Sequence, residues 1–397
     1  MPTDTESPGT ERLVAGYPGQ MLGLLSLGLL LVQLGRGLVP NLLPEIIASL
    51  SITPFLAGIA LSVLTGLHAV FQYPGGRFSD HLTRKTVLLF GLGAAFTGFA
   101  ILAVADTYYL FLLGMAATGV GSGLFYTPMR SSVADLFVDR RGQAFGISQA
   151  AGSLGTILSA GLAVAMLAMA TWSVAFVPVV ATLLVLIIAL HYRSREPYDF
   201  RLVRLDLRRT GVRLLSNSNI RWLLVAYSCQ SLVFLGILNF LPAYLRAEKG
   251  FTPQFASGSF ALFSLTSILV MPLSGRLSDY RSRTSVAAIS NLVGAAGLCT
   301  LIFVEATPLV LASIVLFSAG MSSYSPVMQA YLMDRFPDSQ MGGDFGAVKA
   351  MYTTLGSVGP LYLGYMASTA GYPIAFGSLV GALLASATIS GLVLRSE

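Results

Sequence analysis

Residues Gly76-Arg77-Phe78-Ser79-Asp80-His81-Leu82-Thr83-Arg84-Lys85 return 199 positions later as Gly275-Arg276-Leu277-Ser278-Asp279-Tyr280-Arg281-Ser282-Arg283. The register holds upstream without a gap: Thr53-Pro54 pairs with Thr252-Pro253, and Asp80 with Asp279. Half of the 397 residues is about 199, so the chain is one unit duplicated in tandem. Each copy of the motif is a short basic hinge between two long apolar runs. An apolar chain built from two like-oriented halves points to a carrier that works between them.

Charged residues make up 11% of the chain, against roughly 25% in soluble domains. With 54% apolar residues and a mean hydropathy of +0.74, a soluble globular protein is excluded. A helix needs about 20 apolar residues to cross a bilayer. Twelve such runs fit, at 20–47, 55–75, 87–105, 108–130, 143–168, 172–191, 222–245, 256–274, 286–304, 308–331, 344–369 and 374–394. The expected fold is therefore an all-α membrane protein of twelve transmembrane helices in two pseudo-symmetric six-helix halves. The division is a tail at 1–19, a first half at 20–191, a basic linker at 192–221 and a second half at 222–397. The tail carries Asp4, Glu6, Glu11 and Arg12, so it lacks the positive start of a secretory leader, and the run from Met21 reads as a retained span.

The net charge of +6 invites a nucleic-acid reading, which fails because the cations sit in short loops between spans. Of the 24 Lys and Arg, 19 fall in alternate segments that include both termini, and only Arg246 and Lys249 fall in the others. Positive segments stay inside, so both termini are expected in the cytoplasm and the protein in the plasma membrane. The linker interleaves arginines with leucines and valines and is expected to rest on the inner membrane surface. Cys229 and Cys299 lie within apolar runs and read as packing residues.

The spacing Gly-x-x-x-Asp-x-x-x-Arg at the inner end of a second span resembles the signature of the major facilitator superfamily, and the repeat carries that resemblance over the whole chain. It implies a gate formed by Gly76, Asp80, Arg84 and by Gly275, Asp279, Arg283. Arg84 and Arg283 follow their aspartates at i+4, a spacing that lets carboxylate and guanidinium pair. By the resemblance, Asp80 approaches the start of the eleventh span near Gly342-Gly343, and Asp279 the start of the fifth near Gly142. A helix amino terminus attracts a carboxylate, so these contacts would close the inner side. The sequence departs from the family pattern at His81 and Tyr280, where a basic residue is usual, and at Thr83 and Ser282, where glycine is usual. Further repeats are Tyr126-Thr127-Pro128 with Tyr324-Ser325-Pro326, and Phe145-Gly146 with Phe345-Gly346. Gly119-x-Gly121-x-Gly123 lies inside an apolar span, where it suits close helix packing rather than a phosphate cradle.

Three cations remain within spans: Arg36, Arg130 and Lys349. Each costs roughly 2.5–3.5 kcal/mol at a span centre, so each calls for a function. His68 is a fourth group that can carry positive charge. In the superfamily, spans 1, 2, 4 and 5 and their counterparts line the central cavity, and all four groups fall on such spans. Gln33 and Tyr126 lie one turn from Arg36 and Arg130, and Tyr352 shares a face with Lys349. Gln149 is the counterpart of Lys349 in the repeat and is expected to face it across the cavity. Glu45 and Asp135 lie towards span ends and leave the central cations unbalanced, which suits an anionic ligand.

The expected activity is secondary transport by alternating access of a small organic anion, by ion-coupled symport or exchange, with a proton as the candidate coupling ion. The alternative is drug/proton antiport within the same superfamily. No Walker A, H-E-x-x-H or G-x-S-x-G motif occurs, so neither a nucleotide-driven pump nor an enzyme is expected. No cofactor or metal is expected, the working unit is expected to be a monomer, and the partners are the small-molecule substrate and the lipid bilayer.

Overall fold

The computed structural model describes residues 13–168, 171–199, 201, 218–280, 282–333 and 341–395. Eleven helices among the described residues are long and apolar enough to cross a membrane. They begin with span 1 at Gly16–Asn41, which a short helix at Leu43–Ser49 extends past Pro40. Span 2 is Pro54–His81, span 3 Arg84–Ala103, span 4 Tyr108–Leu136 and span 5 Arg141–Leu167. Span 6 is Val177–Arg193, entered through a single 3-10 turn at Trp172–Phe176. In the second half, span 7 is Ser218–Ala247, span 8 Pro253–Tyr280, span 9 Arg283–Phe303, span 10 Thr307–Met333 and span 12 Tyr372–Arg395. The eleventh crossing is made by two helices, Met341–Gly356 and Val358–Ala370, broken at Ser357. The expected run 344–369 thus divides, as does the expected run 20–47 between Asn41 and Leu43.

Packing repeats as the sequence does. Span 4 lies on spans 2 and 3, span 1 on spans 5 and 6, and span 3 on span 6. In the second half, span 10 lies on spans 8 and 9, span 7 on spans 11 and 12, and span 9 on span 12. Between halves, span 2 meets span 11 and span 5 meets span 8, so the two interfaces exchange under a two-fold relation.

The repeated residues have plain physical roles. Thr53 and Thr252 accept from Leu56 N and Phe255 N at 3.3 Å each, capping spans 2 and 8, with Pro54 and Pro253 at the first helical position. Thr83 and Ser282, which depart from the family glycine, cap spans 3 and 9 in the same way. The glycine run of span 4 removes side chains where helices cross. A Cβ on Gly119 would lie 2.6 Å from the Leu64 carbonyl oxygen, and one on Gly123 would lie 2.6 Å from that of His68. Span 4 therefore approaches span 2 backbone to backbone, which places His68 beside Ser122.

Away from the arginine-rich loops the halves are joined. Phe55 N donates to Ser368 Oγ and Leu361 N to Ser62 Oγ, both at 2.9 Å, and Arg246 ion-pairs with Glu45. At the arginine-rich end, the start of the linker folds onto spans 2 and 3. Thr83 Oγ1 donates to the Pro197 carbonyl at 2.7 Å, Lys85 N to Glu196 Oε2 at 2.9 Å, and Asp199 N to Thr86 Oγ1 at 3.1 Å. The linker residues 202–217 lie outside the described residues.

Candidate functional site

Six of the expected site residues, Gln33, Arg36, His68, Tyr126, Arg130 and Lys349, converge from four spans. Arg36 is a helical residue of span 1, half-buried, and its Nη1 donates to Gln33 Oε1 at 3.2 Å and meets His68 Nε2 at 3.5 Å. His68 Nδ1 lies 3.0 Å from Ser122 Oγ, and Ser122 Oγ donates to the Gly119 carbonyl at 3.1 Å. This fixes the imidazole tautomer. A guanidinium only donates, so Nε2 accepts; the Ser122 hydroxyl proton is committed to Gly119, so Nδ1–H donates to Oγ.

The second part of the site surrounds Tyr126, one turn beyond Ser122 on span 4. Its ring meets His68 edge-on at 6.0 Å. Arg130 Nη1 donates to the Tyr126 hydroxyl at 3.2 Å, and its guanidinium stands 5.1 Å from the Phe145 ring centre of span 5. Lys349 Nζ of span 11 lies 5.5 Å from the centre of the Tyr126 ring. Cation–aromatic contacts of this length hold both cations near the ring without neutralising them. Among the described residues, no carboxylate hydrogen-bonds or ion-pairs with Arg36, Arg130 or Lys349. Arg36 Nε is buried with no hydrogen-bond partner. The arrangement is an uncompensated cationic pocket built from both halves.

Comparison of the chain with known proteins decides the family. The chain belongs to the Major Facilitator Superfamily. That family's model matches residues 25–281 and 245–397. The chain is 24% identical over 410 residues to the probable sulfoacetate transporter SauU of Cupriavidus necator, covering 94% of this chain and 93% of that one. It is 32% identical over 116 residues to the inner membrane transport protein YajR of Escherichia coli, covering 29% of this chain and 24% of that one. Among solved structures, a bacterial homolog of the human lysosomal transporter Spinster, inward-facing and occupied, superposes with a TM-score of 0.86 over 98% of both chains at 14% identity. A mutant form of the nucleoside transporter NupG gives 0.79 over 94% of this chain and 99% of that one, at 12% identity. The chain is thus a multi-pass membrane transporter of the superfamily and not an enzyme.

Within the superfamily frame, some expected contacts change. Arg84 does not pair with Asp80 at i+4. It reaches across to Asp135 of span 4, with Nη2 at 2.6 Å and Nε at 2.7 Å from Oδ2, and Nη1 donates to Ser79 Oγ at 2.8 Å. One guanidinium oriented by two side-chain acceptors is held away from the exposed Asp80, which makes no hydrogen bond or ion pair among the described residues. Asp135 is thereby taken from Arg130, which turns to Tyr126. The side chain of Asp279 and those at 341–345 lie outside the described residues, and with them the contact expected at Gly342-Gly343. A Cβ on Gly142 would meet no described atom, so no described group closes on the start of span 5. Gly76 packs on Thr127 of span 4, whereas a Cβ on Gly275 would meet no described atom. Arg283 begins span 9, and Ser282 is its cap.

Gln149 is exposed and makes no hydrogen bond among the described residues; Lys349 turns to Tyr126 instead. Tyr352 is 7% exposed and stacks on Tyr227 at 4.3 Å, in an aromatic cluster with Tyr324 that supports the helix bearing Lys349. Ser122 and Phe145 complete the site and were not singled out from the sequence as ligands. Ser122 is a small hydroxyl among glycines, with no signal of its own. Phe145 is marked only as a repeat partner of Phe345.

Proposed function

We propose that this superfamily member carries a small organic anion by alternating access, coupled to an ion or by exchange. The observation that carries the reading is the set of three unpaired cations, Arg36, Arg130 and Lys349, around Tyr126 with no described carboxylate among them. An anion in a pocket of this sign gains charge-assisted hydrogen bonds and relieves cation repulsion. The relative named for sulfoacetate, an organic anion, supports the same class. Drug/proton antiport requires a group that holds a lipophilic cation, and the described pocket offers no acid for it.

In this reading the arginine-rich end faces the cytoplasm of a cell whose plasma membrane holds the protein, and the halves 20–191 and 222–397 rock about the site. The joined contacts at the other end and the open surroundings of Asp80, Arg130 and Gln149 correspond to access from the cytoplasm. The deciding test is ligand-induced thermal stabilisation of the purified protein, followed by uptake into proteoliposomes. Small carboxylates and sulfonates should stabilise it and exchange across the membrane. Stabilisation by lipophilic cations alone would overturn the reading.

A further inference from the structure

The cationic pocket has two poles, set along one face of span 4. Ser122, Tyr126 and Arg130 follow at intervals of four residues, so about 12 Å of helix axis separates the level of Ser122 from that of Arg130. The first pole is Arg36, held through His68 against Ser122. The second is Arg130, held on the Tyr126 hydroxyl, with Lys349 over the same ring. Arg130 reaches back one turn to the Tyr126 hydroxyl, and Tyr126 stands on span 4 between the levels of Ser122 and Arg130. Each pole keeps donors in reserve. Arg36 uses Nη1 for both of its contacts and leaves Nε buried and unpartnered. Among the described residues, Arg130 makes one side-chain hydrogen bond, through Nη1.

We propose that the substrate is a short dianion, with one acid group at each pole and an aliphatic spacer against Tyr126; this rests on the anion reading of the same site. The charge count favours more than one negative group. A monoanion at either pole leaves the opposite guanidinium without a counter-charge. A dianion meets both forks at once and leaves a single cation, Lys349, shared with the aromatic ring. The two guanidinium groups are planar forks suited to planar or tetrahedral acid groups (carboxylate, sulfonate or phosphonate) rather than to a halide. The residue between the two levels is a tyrosine, whose ring favours a hydrocarbon spacer over a hydroxylated one.

A near-isosteric series separates charge from shape: succinate with two charges, succinamate with one and succinamide with none. At pH about 7, succinate should reach half-maximal thermal stabilisation at a concentration at least about tenfold below succinamate, and succinamide should give no shift. In Arg130→Gln the advantage of succinate over succinamate should collapse to within about twofold, because one pole is gone. The wild-type series stands by itself should that variant fail to fold. Equal half-maximal concentrations for succinate and succinamate in the wild type, or no stabilisation by either, overturn the dianion. If succinamate binds as well as succinate, the anion reading survives without it. If only succinamide or a lipophilic cation such as tetraphenylphosphonium stabilises the protein, both readings fall.

Discussion

Glu45 and Arg246 form an ion pair between the two halves, at the end of the bundle remote from the arginine-rich loops. Glu45 sits in the short helix that extends span 1, and Arg246 in the last turn of span 7. Their side chains are 21% and 22% exposed, so the pair is largely shielded from solvent screening. It belongs to the seal that also contains the Phe55–Ser368 and Leu361–Ser62 hydrogen bonds. Arg246 is thus accounted for by closure, and Glu45, which the sequence leaves without a partner on its own helix, by the same contact.

Breaking this pair should bias the protein towards opening at that end rather than unfold it. Glu45→Gln and Arg246→Gln each remove about 1 kcal/mol from the joined state, a roughly fivefold shift in the equilibrium. A reporter cysteine at the buried Thr65 of span 2, whose hydroxyl bonds only within its own helix, in a background lacking Cys229 and Cys299, should react faster with a membrane-impermeant maleimide from that side. Unchanged labelling in both variants would mean that the pair contributes nothing to the seal.

The arginine-rich end makes the opposite prediction. Asp80 is exposed and unengaged among the described residues, so Asp80→Asn should leave the stability of this conformation unchanged. Its effect should appear in the conformation closed at that end, which the carboxylate would stabilise against a helix amino terminus. Labelling of a cysteine placed at the exposed Gln149 should therefore rise in Asp80→Asn. Asp135→Asn loses the Arg84 pair, whose acid is more than half exposed, and should cost no more than about 1 kcal/mol in melting experiments. Identical labelling in wild type and Asp80→Asn would leave the aspartate a topology residue only.

His68 links proton binding to the state of Arg36. In the observed network Nε2 accepts from the guanidinium and Nδ1–H is given to Ser122. A second proton on Nε2 would oppose two donors, so protonation and the Arg36 contact exclude one another. If this group carries the coupled proton, uphill transport should depend on a pH gradient, and that dependence should be lost with the imidazole. His68→Gln should then lose uphill accumulation in a pH gradient and retain exchange. Accumulation at the wild-type level by that variant would assign coupling elsewhere.

The duplication and the apolar runs made the architecture legible, because a bilayer leaves the backbone few choices besides spanning helices. The intramembrane cations were legible for the same reason: Arg36, His68, Arg130 and Lys349 stand out against an apolar background. What the sequence withheld was partner choice across helices. The i+4 spacing of Asp80 and Arg84 suggested a local pair, yet span 4 brings Asp135 within reach and takes the guanidinium. Repeat register suggested Gln149 opposite Lys349, but two-fold symmetry relates positions without bringing them into contact. The break at Ser357 has a local signal in Pro360, which has no N–H to return to the Gly356 carbonyl, whereas the linker fold over Thr83–Thr86 depends on long-range hydrogen bonds that no local pattern encodes.

Arg36 carries the most demanding prediction. Its Nη1 is engaged with two neutral groups, Gln33 and His68, and its Nε is buried without a partner. Neither neutral contact compensates the charge, which costs roughly 2.5–3.5 kcal/mol at mid-membrane in the absence of an anion. A carboxylate or sulfonate could accept from Nε and a second nitrogen at once, a geometry that an ammonium cannot offer. Arg36→Lys keeps the charge and loses the fork, so it should weaken binding of the stabilising anion about tenfold. Arg36→Gln loses both and should reduce binding by about a hundredfold, at about 1.4 kcal/mol per tenfold. Both variants should insert and melt normally without ligand: Arg36→Gln removes an unpaired cation, and Arg36→Lys keeps a charge that the empty state already carries. The measurement is the anion concentration giving half-maximal thermal stabilisation, with proteoliposome exchange alongside. Wild-type affinity in Arg36→Gln would remove the arginine from the site, and equal losses in the two variants would show that charge alone, without the fork, recognises the anion.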